Sequence, residues 1–283
     1  MKPQGNGAWL SGSANPFRVP VGNVFTLATG FVDKTLVITE LEVRKLRHDF
    51  TDLLTRAIQP MLWLLLFGEV FTKVRAITPE NMPYLDFMTP GILAQSVLFV
   101  AIFYGIGVIW ERDLGIVHKF LASPTPRGAL VLGKALSAGV RSLSQVLIIY
   151  ALALLLGVKM NWNGLAVLGV LAVVLLGAAL FSTFSLIIAS IVKTRERFMG
   201  MGQVVTMPLF FASNAIYPIS MMPRWLQIVS HANPLTYEVD ALRALMLAHG
   251  TSNLGLGMDF AVLVVVTVTA VILGAQLYPN IVT

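Results

Sequence analysis

The sequence predicts an all-α integral membrane protein of six transmembrane helices, with an amphipathic interfacial helix before the first, a short cytoplasmic helix between the second and third, and short re-entrant helices before the sixth. Three observations predict it. Of 283 residues, 56% are hydrophobic and only 12% charged, a balance that a soluble domain of this length does not show. Apolar runs recur at lengths near the roughly 20 residues a helix needs to cross about 30 Å of hydrocarbon. Lys and Arg crowd into alternate connections between those runs.

Residues 1–34 read as a flexible cytoplasmic arm. Its mildly apolar stretch, Val19 to Phe31, contains Pro20, Gly22, Asn23, Thr26, Thr29 and Gly30, which makes a poor secretory-signal core. Residues 35–56 follow as a helix in which Leu36, Val43, Leu46, Phe50, Leu53 and Leu54 recur mostly at three- and four-residue steps. The pattern fits a helix lying on the inner membrane surface, or a soluble helix packed on a partner; its basic face and its place directly before a span favour the membrane surface. Residues 57–283 hold the six spans: Ala57 to Phe71, Phe87 to Trp110, Ser142 to Val158, Asn163 to Val192, Phe198 to Pro223 and Phe260 to Asn280.

Pro60 stands in the first turn of span one, where a missing N–H costs little. Glu69, near the end of that span, has Lys73 four residues on, and an outer-end ion pair is expected. Span two, opening near Pro90, carries Gln95, Ser96, Tyr104, Gly105 and Gly107, small and polar residues of the kind that mark helix contacts. Ser182, Thr183, Ser185 and Ser190 soften span four and are expected to bond between helices.

The net charge of +6 resolves into topology instead of nucleic-acid binding. Lys2, Arg18, Lys34, Arg44, Lys45, Arg47 and Arg56 precede span one; Arg112, Lys119, Arg127, Lys134 and Arg141 lie between spans two and three; Lys193, Arg195 and Arg197 lie between four and five. The other connections hold only Lys73, Arg75, Lys159, Arg224 and Arg243, which places both termini in the cytoplasm. With no cysteine, disulfides and thiolate chemistry are excluded. His48, His118, His231 and His249 fall in separate stretches, and no metal or paired-carboxylate motif accompanies them, so no catalytic residue and no metal ligand is expected. Gly128 to Lys134 has the spacing of a phosphate-binding loop. However, Ala135 stands where a Ser or Thr would hold magnesium, and the stretch leads into a span, so it reads as a chance match and the chain is expected to bind no cofactor itself.

Two connections stand out. In the inner one, Ile116, Val117, Phe120 and Leu121 share a helix face that Pro124 and Pro126 terminate. That face packs either on the ends of its own spans or in a groove of a soluble partner. In the outer one, Pro218, Pro223 and Pro234 cut the chain into short helices, and Trp225, Leu226, Ile228 and Val229 are placed to dip into the outer membrane boundary. Glu238, Asp240 and Arg243 lie within about one turn and are expected to satisfy one another.

Pro218-Ile219-Ser220, Pro223, Trp225-Leu226, Asn233-Pro234-Leu235, Tyr237 and Asp240-Ala241-Leu242-Arg243 resemble the signature of type-2 permeases of ATP-binding-cassette (ABC) exporters. Glu111-Arg112, Gly115, Leu121, Ser123-Pro124, Arg127 and Gly133-Lys134 resemble the cytoplasmic segment of the same family. The resemblance runs from about Thr35 to Pro279 and implies one half of a homodimer served by two copies of a separate ATPase subunit, which would hold the ATP and magnesium. It implies docking of that subunit through Arg44, Arg47, Glu111, Arg112, Gly115, His118, Lys119, Phe120 and Leu121, and an outer lid that includes Pro218, Pro223, Trp225, Pro234, Asp240 and Arg243. Gln95, Phe99 and Phe103 on span two, with Met207, Phe210, Phe211 and Asn214 on span five, are the candidate substrate path, although each could equally be packing. Asn214 departs from the small residue, often glycine, usual there.

The expected function is therefore export of an amphipathic or lipid-like substrate from the cytoplasm or inner leaflet of a plasma (inner) membrane, with lipid, a second copy and the ATPase as partners. Polysaccharide or lipo-oligosaccharide export is an alternative within the family. An ion-coupled secondary transporter would need an ionisable residue near the bilayer midplane. A non-transporting scaffold leaves the two connections unexplained.

Overall fold

A computed structural model describes residues 32–33, 35–37, 39–40, 44, 58–68, 70, 82–122, 125–192 and 194–281. Helix α1, Tyr84–Asp113, is the spine of the fold. It starts almost two turns ahead of Pro90, with Pro83 at its N-cap, so the apolar run at Phe87 understated it. Short α2, Ile116–Ala122, follows a turn in which Gly115 takes φ +71°, a value only glycine adopts freely.

Helix α3, Arg127–Leu155, begins four turns before the expected Ser142. Its charged residues explain the difference. Lys134 is 2% exposed and bonds Glu111 on α1 at 2.5 Å, while Arg141 lies 5.9 Å from the ring of Tyr104. The segment Gly128 to Lys134 is thus continuous helix, not a loop, with Ala129 N and Leu130 N bonded to Pro126 O at its first turn. Helix α4, Gly164–Ile191, matches the predicted span, and Asn163 caps it by accepting from Leu165 N.

Helix α5, Arg195–Phe211, ends twelve residues short of Pro223. Its last carbonyls are taken by side chains: Leu209 O by Asn233 at 2.7 Å, Phe210 O by Ser213 at 2.7 Å and Phe211 O by Tyr217 at 2.5 Å. Beyond a single turn at Ile219–Met221 come α6, Arg224–Ala232, α7, Pro234–Met246, and α8, Leu256–Leu277. Among the described residues, four helices are long and apolar enough to cross a membrane: α1, α3, α4 and α8 with its terminal turn to Ile281. In the first predicted span the described part is helical, with a π-helical turn at Trp63–Phe67. Glu69, Lys73 and Arg75 lie outside the described residues, and with them the expected ion pair.

The main core lies between α1, α3, α4 and α7, where Met88, Ile92, Leu98, Ile149, Val173, Phe181 and Leu242 are buried. Of the four span-four hydroxyls, Ser182, Thr183 and Ser190 turn back to their own helix carbonyls, so the expected interhelical bonds do not form. Ser185 alone among them crosses to α1, donating to Ile102 O and accepting from Gly105 N at 3.1 Å. Gly107, unlike Gly105, meets nothing. Helical residues are described as early as Val32, two residues inside the expected arm, and Thr39 donates to Gly133 O on α3 at 3.3 Å.

Candidate functional site

The candidate docking residues of α1 and α2 collect at one end of the bundle, the inner end on the topology expected from sequence. Helix α2 is seated by Val117, fully buried beside Val108, Leu130, Val131, Leu186 and Tyr278, with Phe120 and Leu121 packed on the same cluster. His118 and Lys119 face outward. The apolar face of this helix therefore packs on its own spans, the first of the two sequence readings, and the opposite face is open. Glu111 is buried against Lys134, so it serves the frame of α2. Arg112 bonds Asp113 at 3.1 Å. Arg44 is exposed and paired with Glu40 at 2.6 Å, while Arg47 lies outside the described residues.

The path residues divide into two groups. Gln95, Phe99 and Phe103, together with Gln59, Pro60, Ser96 and Val100, line a cavity of about 100 Å³ between the first predicted span and α1. Phe99 and Phe103 stack with centroids 5.9 Å apart. Gln95 is 4% exposed, whereas Ser96 spends its hydroxyl on Ile92 O at 2.7 Å. Among the described residues, no charged side chain lines this cavity. On α5, Met207 and Phe211 are exposed, but Phe210 is buried edge-on to Trp63 at 5.8 Å, and Asn214 is buried beyond the end of the helix. The structure thus brings the three α1 residues together and turns Phe210 and Asn214 into the protein. The sequence does not single out Gln59 and marks Pro60 only as a helix start; which helix they face is set by the fold.

The outer residues form a polar lock. Asp240 accepts from Ser252 at 2.9 Å, Asn253 at 3.3 Å and Leu254 N at 2.9 Å. The Ser252 hydroxyl also lies 2.8 Å from Asp259. Arg243, stacked 3.9 Å over Phe87, donates to Asn214 O at 2.7 Å and Phe87 O at 3.3 Å. In the orientation that satisfies both ends of its amide, Asn214 donates to Thr236 O at 3.2 Å and accepts from Arg243 at 3.3 Å. Asn214, through its side chain and its backbone carbonyl, is thus a member of this lock.

The expected mutual pairing of Glu238, Asp240 and Arg243 forms only in part. Asp240 and Arg243 make a long ion pair at 3.9 Å, but Glu238 points elsewhere. Its buried carboxyl faces Gly177 in the middle of α4, where a Cβ would collide with it, and neither oxygen has a hydrogen-bond partner among the described residues. Residues two apart on a helix project on different sides, which separates Glu238 from Asp240. Helix α6 exposes Trp225, 67%, and Ile228, 72%, the apolar face expected to meet the membrane boundary. Pro218, Pro223 and Pro234 each precede or open a short helix, as their spacing implied.

Residues 34–247 match the family described as ABC-2 type transporter. The chain is 30% identical over 218 residues to a chain described as a transport permease, ycf38, of Cyanophora paradoxa, covering 76% of this chain and 74% of that one. It is 28% identical over 207 residues to the daunorubicin resistance ABC transporter permease DrrB1 of Streptomyces coeruleorubidus, covering 73% and 72%. It is 26% identical over 191 residues to a chain described as a multidrug ABC transporter permease, YbhR, of Escherichia coli K12, covering 67% and 51%. The chain belongs to the ABC-2 family of transporter permeases. It is a multi-pass membrane protein of the class that works with an ABC ATPase subunit.

Proposed function

We propose that this chain is the transmembrane subunit of an exporter that moves an amphipathic or lipid-like substrate out of the cytoplasm or inner leaflet, driven by ATP hydrolysis on a separate subunit. Two permease copies and two ATPase copies make the working unit, with six spans per permease. The observation that carries this reading is α2: one face is anchored in the inner cluster and the other presents His118 and Lys119 beyond it, in a chain of a permease family. The cavity at Gln95 supports the substrate class, since its described lining of aromatic walls and amide groups, with no charge among them, suits a partly apolar molecule better than an ion. ATP and magnesium then belong to the partner.

Pull-down of the tagged protein from gently solubilised membrane tests the proposal. A co-isolating ATPase in stoichiometric amount, lost with Lys119→Glu or Phe120→Ala, is the expected result; isolation of the permease alone overturns it. The buried Glu238, opposite the middle of α4, favours a second reading, transport coupled to protons. That reading predicts transport abolished by a protonophore while cellular ATP is held constant, whereas the ATP-driven reading predicts transport that persists.

A further inference from the structure

We infer that Arg195 is the positioning residue that makes the inner end of α5 follow α2. The inference rests on the reading of α2 as the helix that receives the ATPase. Asp113 is the last residue of α1, and only Leu114 and Gly115 separate it from α2. One Asp113 oxygen accepts from Arg195 Nη2 at 2.8 Å and the other from Arg112. The guanidinium of Arg195 also lies 3.6 Å over the ring of Trp110. Its edge is thus held by a carboxylate and its face by an indole, a combination that fixes the plane of the group and that a lysine cannot reproduce.

An ion pair this exposed contributes little alone. Here it is backed by packing one turn along α5, where Phe198 is fully buried beside Ile109, Ile188, Ala189 and Val192. Gly105 makes the room: a Cβ there would stand 2.6 Å from the Phe198 ring. The Gly105–Ser185–Ile102 bonds tie α4 into the same joint. Three helices therefore meet at the inner end, and Arg195 is the member that reaches to the border of α2. Farther along α5, Met199, Met201 and Val204 are exposed, so this joint is where the helix is held at its inner end. A displacement of α2 reaches α5, and the path residues it bears, through Asp113, Trp110 and Arg195.

The chain has no cysteine, which allows clean spin labelling. Nitroxides at Ala122→Cys on α2 and Met199→Cys on α5, in full-length doubly labelled chains diluted with an excess of unlabelled chains in nanodiscs so that only distances within one chain are read by double electron–electron resonance, are expected to give one narrow distance distribution. Arg195→Gln should broaden it about twofold, with Arg195→Lys intermediate because charge is kept and the planar stack is lost. In the complex with its co-isolated ATPase, trapping with ATP and vanadate should leave this distance unchanged in the parent and shift it in Arg195→Gln. An unbroadened Arg195→Gln distribution, or a parent distance that shifts on trapping, overturns the inference. Failure of the docking reading shows separately, as no ATPase co-isolating, and the widths measured on the permease alone still decide whether Arg195 holds the joint.

Discussion

Lys134 and Glu111 form an ion pair 2.5 Å long, with the lysine 2% exposed, between the two helices that flank α2. Removing one partner of such a pair leaves a charge in a site built for its opposite, whereas replacing both with apolar groups is close to neutral. Lys134→Met should therefore destabilise the protein by about 3 kcal/mol, and Lys134→Met with Glu111→Leu should recover most of that loss. Tryptophan-fluorescence melting of the purified protein in detergent checks both; equal melting temperatures for the single and double variants would contradict the pairing. Glycines on α1 give a second contrast. A Cβ at Gly91 would fall 2.5 Å from Ala215 O and 2.7 Å from its Cα, so Gly91→Ala must push the outer connection away from α1. Gly107 meets nothing, so Gly107→Ala should gain the 0.5–1 kcal/mol, approximately, by which alanine exceeds glycine inside a helix. The expected outcome of the same melting assay is a large loss for the first and a small gain for the second. Both glycines look alike in sequence, because a glycine shows the neighbour it makes room for only after the chain has folded.

At the scale of single elements, the outer connection depends on Asn233. Its side-chain oxygen caps α7 by accepting from Leu235 N at 3.0 Å, and its nitrogen reaches Leu209 O at the end of α5. One residue thus starts one helix and helps to stop another. Asn233→Ala should cost about 2 kcal/mol, the upper range for a lost cap, and Asn233→Ser should restore the cap without the bond to α5 and fall between. Hydrogen exchange of the backbone N–H groups at the first turn of α7 is the direct measurement: protection should fall in Asn233→Ala and return in Asn233→Ser. This element also shows what was legible in advance. The prolines announced short helices, and the apolar face of α6 was readable from Trp225, Ile228 and Val229. The ends of spans three and five were not, because an apolar run stops at a charge while a helix stops where its carbonyls find other donors. Lys134 and Arg141 lie inside α3 because α1 supplies Glu111 and Tyr104, and α5 stops early because Ser213, Tyr217 and Asn233 supply those donors.

For the whole molecule, the bundle has two chemically distinct ends. Arg112, Lys119, Arg127 and Arg195 lie at the end that carries α2, and the terminal turn Tyr278–Ile281 packs into the same inner cluster. The opposite end holds the bridge between Met160 and Leu247, the polar lock around Asp240, and α6 with its exposed Trp225. The alternation of basic connections is read from the sequence alone, and on the proposed six-span topology it predicts that the α2 end faces the cytoplasm. The pairing at each end was not, because it joins residues as distant as Asp113 and Arg195 or Asn214 and Arg243. Orientation can be read directly on a chain without cysteine. Thr251→Cys, exposed in the outer loop before α8, should react with a membrane-impermeant maleimide on intact spheroplasts. Ala122→Cys, exposed at the end of α2, should react only after permeabilisation. The reverse pattern would place α2 outside the cell, where no ATP is hydrolysed, and would remove the physical basis for an ATPase docking on it.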